Sequence, residues 1–418
     1  MKQNLWVLSS FFANACITGL STLLPLYIIF LEGTVLDVAF SLSLFNLSLI
    51  VSALFWGYVI DAFGWRKRLI VISYSGLVLG IIVLYSITNL GLIAVIYGFI
   101  GFMRVGSQPA INLLVIETEK KKDWGKAFAR IQLASVLGMI LAVLFGIFWI
   151  VLFGLQSYFL ICLGFGILAT LIAQAFISEP PIRFESDMIS KFPSTLFQRI
   201  RSNPVILPKL PSLKEVDTLL KMLKVSILQA FPLFLFSTFL FYASSGIYFT
   251  AIIPFLKQSM ITDSIIFAVY LTLYLTQAIV YMFSSKFVDQ YGEKGATLFS
   301  FFPRIIGTAL TVFAAIYLTN INLLLFIVLA FIALDVAFSI YSTSTSLILF
   351  KLLPIKRRGY YLGIFGAMTG VGLLIGSLAS GEISALFGFT VTFTLATILL
   401  ILSLFIMKVF NKRAEIVT

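Results

Sequence analysis

Residues 38–88 read VAFSLSLFNLSLIVSALFWGYVIDAFGWRKRLIVISYSGLVLGIIVLYSIT. Residues 38–60 pass without a charge. Asp61 follows, Arg66, Lys67 and Arg68 crowd a short connection, and residues 69–88 are again uncharged. About 18 apolar residues suffice for a helix to cross a hydrocarbon core roughly 30 Å thick. Backbone groups in lipid must pair internally, and no alternation of period two marks the runs as barrel strands, so both read as transmembrane helices. The stretch is a membrane hairpin with a basic turn.

The same pattern extends to both ends. We expect spans at 5–31, 38–61, 69–88, 91–117, 125–153 and 157–178, then 226–256, 264–286, 295–319, 321–350, 360–387 and 389–410. The first span begins like a signal peptide, with Lys2 and Ala13-Asn14-Ala15, but it runs on to Leu31 and its pattern recurs later, so we expect it to be retained. Of the 418 residues, 60% are hydrophobic and 11% charged, against about 25% charged in soluble domains. Mean hydropathy is +1.08. The net charge of +12 is no footprint of nucleic acid, because the basic residues sit in short connections. Cys16 and Cys162 lie inside apolar runs and imply no disulfide framework. The chain has no histidine, which argues against a transition-metal site, and no cofactor is expected.

The connections alternate in charge. One side receives Arg66 to Arg68, Lys120 to Lys122, eight Lys or Arg in residues 179–224, Lys286, Lys294, Lys356 to Arg358, Lys412 and Arg413; the other side has almost none, Lys257 beside Asp263 being the exception. The positive-inside rule puts both termini in the cytoplasm and the chain in the cell membrane. Residues 1–178 form one six-helix unit and 225–418 another. Residues 179–224 link them on the cytoplasmic side, with Ser212 and Glu215 fitting the start of an amphipathic surface helix. The units repeat. Pro25 recurs as Pro254 at a shift of 229, Asp61 as Asp289 at 228 and Gly125 as Gly359 at 234. The expected fold is an all-α membrane protein of twelve transmembrane helices in two pseudo-symmetric six-helix bundles, a repeat architecture that places solute sites near the midplane.

Gly57, Asp61, Gly64 and Arg66 sit at the spacing of the signature between helices 2 and 3 of the major facilitator superfamily, which this chain resembles along its whole length. Ala62 and Trp65 replace two basic positions of that signature. Asp289 and Gly292 carry a degenerate second copy, and Gly359 and Gly363 resemble the family's entry into helix 11. The resemblance implies two bundles around a central cavity and alternating access. The residues themselves suggest gating: Asp61, Arg66, Glu117 and Arg130 lie at one membrane level and are candidates for a charge network that latches one conformation. Span 5 has Gly138 and Gly146 but no proline, which departs from the drug–proton antiporters of the superfamily.

Charges within spans are functional candidates by default. Arg104 is central in span 4 and Asp335 in span 10, and the repeat shift carries Arg104 into the neighbourhood of Asp335. Either Arg104 binds an anionic group of a solute or it pairs with Asp335. Asp335 is the candidate proton acceptor, since burial favours the neutral carboxyl and a nearby arginine the charged one. Arg304, two turns into span 9, reads as snorkelling or structural, and Glu382 as reaching the outer interface. Gln108 and Asn112 extend the Arg104 face; Asn14, Tyr242, Ser245, Tyr248 and Tyr341 are further candidates to bind solute. Gly359, Gly363, Gly366 and Gly370 form one small-residue face on span 11.

No phosphate-cradling Gly-x4-Gly-Lys-Ser/Thr sequence occurs, so an ATP-driven pump is excluded. A membrane enzyme lacks a nucleophile or metal constellation here, and a channel or scramblase fits the repeat less well. The expectation is a monomeric secondary transporter for a small organic solute, proton-coupled, with an efflux transporter or a uniporter as alternatives.

Overall fold

The structure is a computed structural model that describes residues 5–63, 65–118, 124–178, 231–352 and 358–417. Among the described residues every regular element is an α-helix: α1 (Val7–Phe30), α2 (Val35–Phe63), α3 (Lys67–Ser86), α4 (Leu90–Thr118), α5 (Trp124–Phe153), α6 (Tyr158–Phe176) and α7 (Phe231–Gln258). Asp263–Tyr317 is broken at Gly292 into α8 (263–291) and α9 (293–317); Asn320–Leu352 is α10; Arg358–Val417 is broken at Gly388 into α11 (358–387) and α12 (389–417). The ten continuous helices among the described residues are all long and apolar enough to cross a membrane, and the two breaks bring the helical segments to twelve.

Both breaks use a conformation that glycine alone takes readily. Gly292 has φ 71° and ψ 157°, and Gly388 has φ 82° and ψ 169°. The loop expected over residues 287–294 is therefore shortened to one residue: α8 runs helical to its end, and the chain turns on Gly292. The linker 179–224, with its expected surface helix at Ser212 and Glu215, lies outside the described residues, as does Gly64.

Exposure follows lipid rather than water. Val151, Leu152, Leu386 and Phe405 are each about 70% exposed, as only a bilayer-facing surface tolerates in such numbers. α1 and α7 are instead enclosed along most of their length, as the inner helices of the two halves. Within the second half, α7 and α11 approach closely at Gly246, Gly372 and Gly376, where an added Cβ would meet backbone atoms. That contact uses glycines other than the expected stripe: Gly366 faces open space, while Gly370 packs on Ile50 of α2, across the halves.

The ends carrying the N-terminus and the basic connections are called the basic side here, the other the far side. The halves meet on the far side along two seams. On α2 and α11, Asn46 Nδ2 donates to Ser377 Oγ at 3.0 Å, and Gly381 abuts Ala39. On α5 and α8, Gly146 leaves no room between itself and Phe267, and Ser264 Oγ donates to the Ile147 carbonyl at 2.7 Å. Among the described residues the far-side ends of the halves are in contact, and nearer the basic side a cavity lies between α5 of the first half and α8 and α10 of the second.

Candidate functional site

In the first half a cavity of about 350 Å³ lies among α1 to α5, in the half of the bilayer nearer the basic side. Ser10 and Asn14 of α1, Tyr74 of α3, Arg104, Ser107 and Gln108 of α4 supply much of its polar lining. Asn14 Nδ2 donates to the Ser10 carbonyl at 2.8 Å and to Ser135 Oγ of α5 at 3.0 Å, which fixes its carboxamide across two helices. Pro109 within α4 cannot donate to the Val105 carbonyl, which frees an acceptor in the cavity wall one residue from Arg104. Gln108 Nε2 donates to Asn112 Oδ1 at 3.3 Å; Asn112 sits a turn deeper towards the basic side. Arg104 has no carboxylate at ion-pair distance among the described residues.

The second half holds a different arrangement. Asp335 on α10 is 4% exposed and Arg304 on α9 is 2% exposed. Arg304 does not snorkel. Its Nη1 donates to the Leu334 carbonyl at 3.0 Å and its Nη2 to Ser245 Oγ of α7 at 2.7 Å. Its guanidinium lies 4.9 Å from the Phe241 ring and 5.8 Å from the Phe249 ring. Aromatic faces and two acceptors together hold a cation far from water, which a headgroup-facing side chain would not need. Arg304 and Asp335 form no direct ion pair; Arg304 Nε and Asp335 Oδ2 are both buried without a protein hydrogen-bond partner.

The expected alternative that Arg104 pairs with Asp335 is thereby removed: the cation beside Asp335 is Arg304. Between the two clusters stands Tyr274 of α8, within electrostatic reach of both Arg104 and Asp335 and beside Thr18 of α1. The repeat accounts for the exchange. A shift of 230 carries Tyr74 onto Arg304, so α3 and α9 each send one large polar side chain toward the inner helix of their half.

Three expected solute contacts are occupied within the protein. Ser245 accepts from Arg304. Tyr248 Oη bonds Thr311 Oγ1 at 2.9 Å, fully inside the second half. Tyr341 stacks on Phe241 at 3.7 Å and donates to Thr238 Oγ1 at 3.4 Å. These three polar groups stabilise the bundle because an apolar interior leaves them no other partners. Tyr242 is only partly buried and approaches Tyr341 edge-on at 6.4 Å. Of the candidate gating residues, Arg130 and Asp289 are exposed and Arg66 immediately precedes α3 without a side-chain capping bond. The side chains of Asp61 and Glu117 and the surroundings of Gly57, Gly359 and Gly363 lie outside what is described. Glu382 is exposed near the far-side end of α11.

A second cavity of about 610 Å³ lies between the halves on the basic side, lined by Gln132 and Val136 of α5, Tyr281 and Met282 of α8, and Ser342 and Ser346 of α10.

The family model described as Major Facilitator Superfamily matches residues 6–236 and 234–417. The chain belongs to the major facilitator superfamily. It is a multi-pass membrane protein and a secondary transporter, not an enzyme. No match is found among curated proteins. Solved superfamily structures share its fold over nearly its whole length. The nucleoside transporter NupG, in a point-mutant form, superposes with a TM-score of 0.77 at 16% identity, covering 99% of this chain and 100% of that one. A POT family transporter in complex with a thioalcohol-conjugated peptide gives 0.73 at 14%, covering 98% and 96%. The peptide transporter POT, as a point mutant in complex with sulfate, gives 0.72 at 12%, covering 98% and 94%.

Proposed function

We propose that this transporter moves a small organic solute across the cell membrane by alternating access, driven by protons that exchange on Asp335. The supporting observation is an almost wholly buried carboxyl, one oxygen unbonded, beside an arginine whose two terminal nitrogens are held by other groups. A carboxyl so placed changes the charge of the transporter's interior when it takes or loses a proton. Tyr274 gives that change a short route to Arg104, in the solute-sized cavity of the first half.

Arg104, Asn14, Gln108 and the serines around them suit a solute with an anionic group and several hydrogen-bonding groups. Nucleosides and peptides are carried by proteins of this fold and belong in the first panel tested. By the positive-inside rule the basic side is cytoplasmic, both termini lie there, and this conformation faces inward. We read the protein as a monomer, with solute, proton and bilayer as its partners.

The test is a panel of nucleosides, short peptides, sugars and carboxylates on proteoliposomes under an imposed pH gradient. Solute-dependent proton flux that vanishes in Asp335→Asn supports the reading. Unchanged gradient-driven transport in both Asp335→Asn and Arg104→Ala would refute it.

A further inference from the structure

Two polar stripes face each other between α8 and α10. On α8 they are Tyr274, Gln277, Tyr281 and Ser284, at steps of three, four and three. On α10 they are Asp335, Ser339, Ser342 and Ser346, at steps of four, three and four. Helical residues at such steps share one face, so both stripes run along the axis from mid-membrane toward the basic side. The helices meet where Tyr281 Oη and Ser342 Oγ bond at 3.2 Å, and where Thr343 Oγ1 donates to Ser284 Oγ at 3.3 Å. Tyr281 stands within electrostatic reach of Asp335 and beside Gln277. Below that contact, Tyr281, Ser342 and Ser346 line the 610 Å³ cavity.

Above it, three buried polar atoms have no protein partner: Asp335 Oδ2, Ser339 Oγ and Gln277 Oε1. Ser339 is fully buried. One isolated orphan is a local defect, but three in sequence along one seam describe a lining. Buried polar atoms of this kind are normally satisfied by ordered water, which needs two to four polar partners. Asp335 and Ser342 are about 10 Å apart along the axis at 1.5 Å per residue, a length that a few water molecules span.

We propose that a file of water joins the basic-side cavity to Asp335 along this seam, with the hydrogen-bonded pair Tyr281–Ser342 as its gate. It rests on the reading of Asp335 as the proton acceptor. The proton leaves the Asp335 carboxyl for the nearest water, passes by hops along the file, and enters the cavity as hydronium, leaving the carboxylate behind. Uptake of a proton runs the same steps in reverse. Asp335 is faced by Arg304 from α9 and by Tyr274 and Tyr281 from α8, with Arg104 of α4 acting through Tyr274. The guanidinium of Arg304 is held on Ser245 and Leu334, so the file rather than Arg304 supplies the mobile proton.

Two measurements on the purified full-length protein test this without a known solute. First, the infrared band of the protonated Asp335 carboxyl is assigned by its loss in Asp335→Asn, and its shift is followed after transfer to D2O. Gln277→Leu and Ser339→Val are expected each to slow the exchange at least tenfold; exchange within twofold of the parent in both variants overturns the file. Absence of an assignable carboxyl band at every pH would instead count against the reading of Asp335 as proton acceptor. Second, in a Cys16→Ala/Cys162→Ala background, Ser339→Cys is expected to react with silver ion more than tenfold faster than Ala337→Cys, which is buried on another face of α10. Equal rates overturn the hydrated seam whatever the first measurement gives. Tyr281→Phe is expected to open the gate and raise the silver rate further, with unaltered thermal stability reporting that the bundle is intact.

Discussion

Arg304 donates to the backbone carbonyl of Leu334, one residue from Asp335, and leaves Asp335 Oδ2 unbonded. The arginine is thus held by helix backbone, by Ser245 and by two aromatic rings, with no hydrogen bond to the carboxyl. Hydrogen bonds to a charged group contribute about 1.5–3 kcal/mol each, and the planar fork of Arg304 cannot be reproduced by an ammonium. Arg304→Lys should therefore lower unfolding stability by about 2 kcal/mol, read as a fall in the thermal midpoint in detergent. Arg304→Ala should lower it further, by about 3–5 kcal/mol, because truncating a large buried side chain leaves a cavity among α7, α9 and α10. Asp335→Asn, which removes no bond that Arg304 makes, should leave the midpoint within about 1 kcal/mol of the parent.

Two sets of glycines make opposite predictions. Gly376 lies against the Ala243 and Ile247 backbone inside the second half. Gly376→Ala should destabilise the fold by about 1–3 kcal/mol, since neither helix backbone yields. Gly146 and Gly381 lie between the halves, against Phe267 and Ala39. Gly146→Val or Gly381→Val should leave stability nearly unchanged and push the halves apart on the far side. Ala39→Cys, introduced into a chain lacking Cys16 and Cys162, should then react several-fold faster with a water-soluble thiol reagent. The Asn46–Ser377 bond crosses the same seam; removing it with Asn46→Ala should shift the balance by about 1 kcal/mol, roughly fivefold toward the far-side-open form.

The architecture was legible because lipid imposes it. Uninterrupted apolar runs, basic connections on one side and a repeat near 230 residues were enough to draw twelve helices in two halves, and the turns at Gly292 and Gly388 only shortened the connections. The arrangement of the candidate site was legible in part. The repeat brought Arg104 and Asp335 into view, but hydropathy does not say which face of a helix turns inward. Arg304 follows Phe302-Pro303 and reads as a charge near a helix end until α7 is seen to offer it Ser245. The same ambiguity hides the stripe on α8: Tyr274, Gln277, Tyr281 and Ser284 look like scattered polar residues without α10 opposite them. Tyr248 and Tyr341 show the converse, polar residues in a span that serve packing.

At the basic side, Lys351 Nζ at the end of α10 lies 2.8 Å from Glu293 Oε1, beside the Gly292 turn. The hydrogen bond from Lys351 holds the Glu293 carboxyl below the ordinary carboxylate value near 4.3. A depressed value in the folded state means the contribution is complete above the unfolded value and is lost as pH falls through the folded one. The lysine side chain is 66% exposed, so water and salt screen the pair and its worth is about 0.5 kcal/mol or less. Lys351→Ala should lower the thermal midpoint by no more than a degree or two at neutral pH, with the difference vanishing in acid and in high salt.

Tyr274 stands between the two polar clusters. Its hydroxyl lies within electrostatic reach of Arg104 in the first-half cavity and of Asp335 in the second half, and it stands beside Thr18 of α1, the inner helix of the first half. In the proposed mechanism a solute anion that engages Arg104 changes the field at this hydroxyl, and a proton arriving on Asp335 changes it from the other side. Binding linkage is reciprocal, so the solute must alter Asp335 protonation by the same factor by which protonation alters solute affinity. Coupling between two sites is typically about 1–3 kcal/mol, a factor of roughly five or more. Tyr274→Phe retains the ring and its packing while removing the hydroxyl. We expect solute affinity at mildly acidic and mildly alkaline pH to differ by that factor in the parent and by less than about threefold in Tyr274→Phe, measured by equilibrium binding in detergent. An unchanged ratio would show that the halves are coupled by another route.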